Sequence, residues 1–524
     1  MKLTPIIGLE IHVQLKTKSK MFCGCDNSGE DKPANTTICP ICLGHPGVLP
    51  VANRQAIEWS AMSALALNCE IPQTSKFDRK SYFYPDLPKN YQISQYDQPL
   101  GVSGYLMIPT KNGEKKIGII RLHLEEDAAK NFHSADGSPR SPKGEANGEA
   151  GKNTLVDYNR GGTPLMEIVT EPDLRSPQEA KTFMQELRLI MRYLNVSEAD
   201  MEKGHLRCDA NISLTDQPAE KIDLKKLKPK TEIKNLNSFK AVERSLEYEI
   251  KRQAKLWAEG QAPKKQSTRG WDEDEGITED QRTKEEASDY RYFPEPDLPP
   301  VNFNPQAKNG INLQILQNKL GELPQKKRRR FIQEFDLTAE NAKILTDDER
   351  LANFFEQVIS ELQAWLISLG EAEGTAEEIW QKNKAKLSKL TSNWLINKLL
   401  ALIYKDGKQI KDCPQITAEN FAEFITLVHQ NKINSTIAQK ILEKMYQTGK
   451  DPSVIITEED LQGGHDETAL EQMIEKIINQ SPKEVEQYKK GKVTLLQYFI
   501  GQVMRETKGK ADPQTIKKIL INKL

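Results

Sequence analysis

Four stretches of the chain alternate apolar and polar residues with a period of two, and each carries ionisable groups on its polar side. In IIGLEIHVQL (6–15), Ile7, Leu9, Ile11, Val13 and Leu15 share one face of an extended strand, while Glu10, His12 and Gln14 share the other. GIIRLHLEEDAA (118–129) sets Ile120, Leu122 and Leu124 against Arg121, His123 and Glu125, with Glu126 pointing away from Glu125. HLRCDANISL (205–214) separates Leu206, Cys208, Ala210 and Ile212 from His205, Arg207, Asp209 and Asn211. TEIKNLNSF (231–239) adds Glu232 and Lys234, two residues apart. A period of two cannot be buried on a helix, so these stretches commit the region to a sheet with one apolar and one polar face.

Two readings of that polar face stand side by side. One is the solvated surface of ordinary half-buried strands, which favours Lys, Thr, Ser and Gln. The other follows from what is present instead, namely Glu, His, Asp, Arg and Asn, the residue types that bind ions and phosphates. Carboxylates with an imidazole on one concave face form a hard, oxygen-rich site suited to Mg²⁺ with nucleotide phosphates. Arg and Lys nearby would stabilise charge on a transferred phosphoryl group. Neither a G-x-x-x-x-G-K-[ST] loop nor a G-x-G-x-x-G turn occurs, so an ATP site here has another design.

At 524 residues the chain is too long for a single core. Residues 1–297 read as mostly sheet, interrupted by helices at 176–196 and 238–260. Ser176 suits the N-cap and Pro177 the first turn of the earlier helix, with Phe183, Leu187, Ile190 and Leu194 at helical spacing. Two polar, low-complexity stretches, 134–153 and 260–289, read as mobile loop insertions. After YRYFPEPDLPP (290–300) helical periodicity takes over, and GKDPS near 450 suggests a further cut. The expected architecture is α+β: a mainly antiparallel-sheet cradle with flanking helices (1–297), an all-α domain (298–450) and a small helical tail (451–524). Lys+Arg 74 against Asp+Glu 75 leaves a net charge of −1, so nucleic-acid binding would have to rely on local patches. With no run of roughly 18 apolar residues and no signal-peptide pattern, a cytoplasmic location is expected.

Seven cysteines, an odd number, suggest reduced thiols rather than a disulfide framework. Four cluster as Cys23-x-Cys25 and Cys39-x-x-Cys42, close to four-thiolate zinc spacing although the first pair is one residue tighter than usual. Free thiols or a redox pair are the alternatives, and no thioredoxin-like βαβ pattern surrounds them. A zinc closed off by four sulfurs keeps no position for water, so its role would be structural. Cys69, Cys208 and Cys413 read as packing residues.

IIGLEIHVQLKTKSKMFC, HPGVLPVAN, SKFDRKSYFYPDLPKNYQISQYDQP, RLHLEEDAAK, LVDYNRGGTPLMEIVTEPD, LRCDANISL, KTEIKNLNSF and DYRYFPEPDLPP closely resemble, in order, the GatB family. Its members are the B subunits of the tRNA-dependent amidotransferases. LTSNWLIN (390–397), INSTIAQKIL (433–442) and FIGQVMRETKGKADPQTI (499–516) fit the family's C-terminal half and its YqeY-like tail. The resemblance implies a ligase that forms C–N bonds with glutamine as amide donor. The GatB protein uses ATP and Mg²⁺ to phosphorylate the side-chain carboxylate of misacylated Glu-tRNA(Gln) or Asp-tRNA(Asn). Ammonia from a glutaminase partner, GatA, then displaces phosphate, and a small third protein, GatC, joins the two in a heterotrimer.

Carried over by position, the resemblance assigns Glu10, His12 and Glu125 to the catalytic metal and Glu126 to the mouth of the ammonia channel. Asp209, Glu232, Arg160 and Lys234 are assigned to a second metal or the phosphates. Cys23, Cys25, Cys39 and Cys42 match a zinc loop that only some members keep. Tyr82, Tyr84 and Tyr91 belong either to the wall facing the glutaminase or to the core. For the tRNA, Lys508 and Lys510 in the tail are the better placed pair, whereas KKRRR (326–330) reads first as a solvated helix face. A non-catalytic protein of tRNA binding and assembly would need the Glu10, His12, Glu125 cluster broken, and it is intact. The related archaeal GatE proteins have a large extra domain for which 260–289 is too short.

Overall fold

Burial alternates residue by residue along Thr4–Gln14 (β1), with Ile7, Leu9, Ile11 and Val13 at most 1% exposed. In the computed structural model of the chain, described over residues 3–133, 154–218, 222–283, 289–368, 375–459, 467–507, 511 and 513–524, this strand is internal to an eight-stranded sheet. The other strands are Gly101–Thr110 (β2), Gly113–Glu126 (β3), Pro164–Thr170 (β4), Leu206–Thr215 (β5), Thr231–Leu236 (β6), Ser267–Asp272 (β7) and Ile277–Thr283 (β8). Their spatial order is β8-β7-β6-β5-β1-β4-β3-β2. Every neighbouring pair is antiparallel except β6 and β7.

Three helices, Arg54–Ala66 (α1), Pro177–Tyr193 (α2) and Phe239–Ala258 (α3), join the sheet's apolar residues in one core. Ser176 caps α2 as its sequence suggests, its hydroxyl accepting from the Glu179 amide at 3.2 Å. Phe183, Leu187 and Ile190 on that helix are wholly buried, each contributing roughly 1.5–3 kcal/mol of hydrophobic stabilisation. Ser238 caps α3 in the same way. Because the helices cover the apolar side, the polar side of the strands is left to form a site.

The sheet departs from the sequence expectation at two places. Ile120 does not belong with Leu122 and Leu124: it is 41% exposed, while Ile119 is buried. A β-bulge between Ile119 and Arg121, opposite β4, inserts one residue and turns Ile120 to the other face. The stretch 260–289 is not simply a loop insertion, since Ser267–Asp272 and Ile277–Thr283 extend the main sheet. Low local hydrophobicity hid these strands because their order is tertiary. Glu249 of α3, with a fully buried side chain, accepts from Thr278 Oγ1 at 2.6 Å, and Arg269 lies 3.2 Å from it. The stretch 134–153 lies outside the described residues.

The chain divides into compact units at Leu323, with Met1–Leu323 carrying the sheet. This unit runs past the double proline at 299–300 because Val301–Asn302 pairs with Thr74–Ser75, and Leu313–Lys319 packs on α1. The second unit, Pro324–Leu524, is helical throughout its described residues. One core there joins Phe331, Phe355, Phe421 and Phe424, and a smaller one joins Leu470, Phe499, Val503 and Leu520. Ile455 belongs to the former, beyond the break at GKDPS. The KKRRR run lies in the helix Pro324–Phe335. Lys327 is buried there, donating to Glu356 at 2.8 Å and to Asn353 at 2.7 Å, so this part of the run is ion-paired packing rather than a solvated face. Lys508 and Lys510 lie outside the described residues. No described helix is long and apolar enough to cross a membrane.

Candidate active site

Strand register brings the ionisable residues together. His12 on β1 stands opposite Arg207 on β5 and Glu167 on β4, and Glu167 stands opposite His123 on β3. One row of the sheet therefore reads Arg207, His12, Glu167, His123. The next row begins with Glu10, paired with Asp209. Glu167 Oε2 lies 3.5 Å from His12 Nε2 and 3.3 Å from His123 Nε2. Glu125 lies 3.8 Å from each imidazole through its two oxygens and accepts from Ser94 Oγ at 3.2 Å.

Ligand-capable atoms fall into two overlapping groups, Glu10–His12–Glu167 and His123–Glu125–Glu167, each within 4.8 Å. Glu10 and Glu125 thus meet through Glu167, a residue of the PLMEIVTEPD motif that sequence reasoning did not single out. One signal was available: Glu167 is the one charged residue of β4, set among apolar neighbours. His123 stood on the polar face without an assigned role.

The electrostatics show crowded anions. Burial, then the charge of Glu167, raise the Glu10 carboxyl above its ordinary value, against a smaller opposing pull from His12. Burial opposes charge on His123 as well, yet Glu167 and Glu125 raise its imidazole to about 9. Burial also works against ionisation of Glu167, but His123 and His12 hold that carboxyl well below the usual range. Three carboxylates and two imidazoles compressed in this way are a hard donor set that a divalent cation fits.

The remaining predicted residues surround this centre in distinct sets. Lys234 Nζ donates to Asp209 Oδ2 at 2.5 Å and lies 3.3 Å from Glu232. Arg160 is placed otherwise: it lies 3.3 Å from Asp127, which Arg207 also holds at 2.8 Å, and it donates to the Ala128 carbonyl. Glu126 turns away from Glu125, accepting from Lys89 and from the Ile93 amide at 2.9 Å. His205 precedes β5 and lies 3.1 Å from Glu30 rather than joining the row. An open cavity of about 1040 Å³ spreads over the face, reaching from Glu10 and Arg121 to Lys228, Lys230, Lys264 and Lys265. The lysines on its far side were not singled out from sequence, where they look like ordinary surface charge.

The sulfurs of Cys23, Cys25, Cys39 and Cys42 also lie within 4.8 Å of one another, so the spacing does assemble a donor set that could hold a metal ion. Cys69, Cys208 and Cys413 are buried and free. Gly44 in the same loop, at φ +69°, packs on Lys89, where an added Cβ would stand 2.5 Å from Cγ of that lysine. The loop thus backs directly onto the partner of Glu126. Tyr82 is partly buried and bonds Gln92 at 3.1 Å, whereas Tyr84 is exposed.

The profile described as "GatB/GatE catalytic domain" matches residues 5–309, and the one described as "GatB domain" matches 376–524. The chain belongs to the GatB family. Among its GatB relatives, the B subunit of aspartyl/glutamyl-tRNA(Asn/Gln) amidotransferase from Caldanaerobacter subterraneus subsp. tengcongensis is 44% identical over 525 residues, covering 100% of both chains. The proteins of that name from Thermotoga maritima and Persephonella marina are 44% and 43% identical, each over 520 residues and 99% of this chain, and 98% and 99% of their own. In this GatB chain the catalytic-domain match spans every residue of the glutamate–histidine rows.

Proposed function

We propose that the chain is the GatB component of a tRNA-dependent amidotransferase, with the concave sheet as its carboxylate-kinase site. Its substrates are Glu-tRNA(Gln), Asp-tRNA(Asn) or both, its co-substrate ATP, and its partners the glutaminase GatA and the small protein GatC. The observation that carries this reading is the continuous row His12–Glu167–His123, flanked by Glu10 and Glu125. Glu10, His12, Glu125 and Glu167 would hold Mg²⁺, which when bound neutralises phosphate charge and polarises the transferred phosphoryl group.

The chain's own groups account for the rest. Lys234, fixed by Asp209 and Glu232, presents a cation beside Glu10 for phosphate oxygens. A carboxylate is a poor electrophile, and phosphorylation gives it both activation and a leaving group. Glu126 and Lys89 form a buried polar pair where ammonia would enter, and burial there keeps water from the acyl phosphate. The four cysteines would hold a structural zinc. The tail, through Lys508 and Lys510, would contact the tRNA body.

The test combines the chain with GatA, GatC, Glu-tRNA(Gln), Mg²⁺ and γ-labelled ATP, without any ammonia donor. Label on the glutamyl group, or tRNA-dependent phosphate release, is expected with the native chain and lost with Glu125→Gln. Normal tRNA binding without either product would remove the kinase assignment.

A further inference from the structure

A zinc ion held by four thiolates carries a net charge of −2, and such a group needs donors or cations beside its sulfurs. One donor is evident: the Cys39 amide reaches Cys42 Sγ at 3.2 Å. Lys20 stands close by in the chain, three residues before Cys23. This lysine has 0% of its surface exposed, although an ammonium is compact and strongly hydrated and almost never goes fully buried without a partner. Its Nζ donates to the Tyr158 carbonyl at 3.2 Å. Among the described residues no carboxylate lies within 4.0 Å of it. Lys327, the other lysine buried among the described residues, has Glu356 at 2.8 Å.

The place of Lys20 suggests what replaces the missing carboxylate. Its amide donates to the Cys25 carbonyl at 3.0 Å, which ties its backbone to the first cysteine pair. Its stem runs beside the second pair: the point where a Cβ on Gly162 would stand is 3.4 Å from Lys20 Cδ and 3.7 Å from Cys42 Cβ. Gly162 itself has φ +85°, a conformation suited to glycine, and so lets both side chains close over it.

We propose that Lys20 is the internal counter-ion of the four-cysteine site, its buried ammonium offsetting the charge of the metal–thiolate group and setting the affinity for zinc. This rests on the zinc reading of the four cysteines, and the experiment separates the two.

Zinc affinity is measured on the full chain by competition with a chromophoric chelator, and Co²⁺ substitution reports the number of sulfur ligands. The native chain is expected to bind one zinc tightly with a four-sulfur Co²⁺ spectrum. Lys20→Met, similar in length but neutral, is expected to keep that spectrum and lose about 10- to 100-fold in affinity, as for other groups supporting a metal's ligands. Lys20→Arg should recover most of the loss. Lys20→Gln keeps a donor for Tyr158 without the charge; it should match Lys20→Met and carries the comparison if that variant does not fold. Affinity within two-fold of native in the neutral variants, or an equal loss in Lys20→Arg, would overturn the counter-ion role while leaving the zinc site standing. A native chain that binds no zinc would overturn both.

Discussion

Neutralising Glu167 tests the site most sharply, because this carboxylate belongs to both ligand groups. Its side chain is 7% exposed and lies between His12 at 3.5 Å and His123 at 3.3 Å. A divalent cation about 4 Å from a carboxylate gains roughly 8 kcal/mol at an effective dielectric constant near 20. Desolvation of the ion and the carboxylate returns roughly half of this or more, leaving about 3–4 kcal/mol. Glu167→Gln is therefore expected to weaken Mn²⁺ or Mg²⁺ binding by about 10²–10³-fold, read by calorimetry, and to lower tRNA-dependent phosphate release at least as much. Without metal, the same change removes the counter-charge of the buried His123 and the partly buried His12. Stability near pH 6 should fall by about 3–5 kcal/mol in denaturant unfolding. The loss should shrink towards pH 9, where His123 of the native chain gives up its proton. Unchanged metal affinity with unchanged phosphate release would refute the shared-ligand reasoning.

Two further outcomes follow from the same geometry. His123 has its folded-state pKa raised from 6.5 to about 9, so the stability it lends the metal-free protein is complete below 6.5 and lost as pH rises through 9. A cation competes with that proton, so apparent Mg²⁺ affinity should rise across the same window, with proton release detected by calorimetry in buffers of different ionisation enthalpy. Pure screening would give no pH dependence. Separately, Glu249→Ala strips Arg252, Arg269 and Thr278 of a shared buried acceptor and should cost about 3–5 kcal/mol. Amide exchange should then quicken first in Ser267–Asp272 and Ile277–Thr283; uniform quickening over the sheet would show that the pair does not depend on this anchor.

Much of the site was legible along the chain because alternation sorts residues between two faces without reference to any partner. Glu10 with His12, Glu126 opposed to Glu125, and Asp209 and Lys234 on polar faces all followed from a period of two. The capped helices and the four-cysteine spacing were equally local. Ile120 escaped because a bulge shifts the alternation by one residue, and nothing in GIIRLHL marks where the partner strand opens to admit it. The strands within 260–289 escaped because their order comes from Arg269 and Thr278 meeting Glu249, about 20 to 30 residues away in sequence.

What the sequence by itself determined is therefore which side chains face together along each strand, which helices start where, and which family the motifs spell out. Which strands lie side by side was decided only in the tertiary structure. Register across β5, β1, β4 and β3 makes Glu167 the common member of both ligand groups, and packing over Gly162 sets the stem of the buried Lys20 beside Cys42. Charges act over a few ångströms of space, and that spacing exists only once distant segments have been folded against one another.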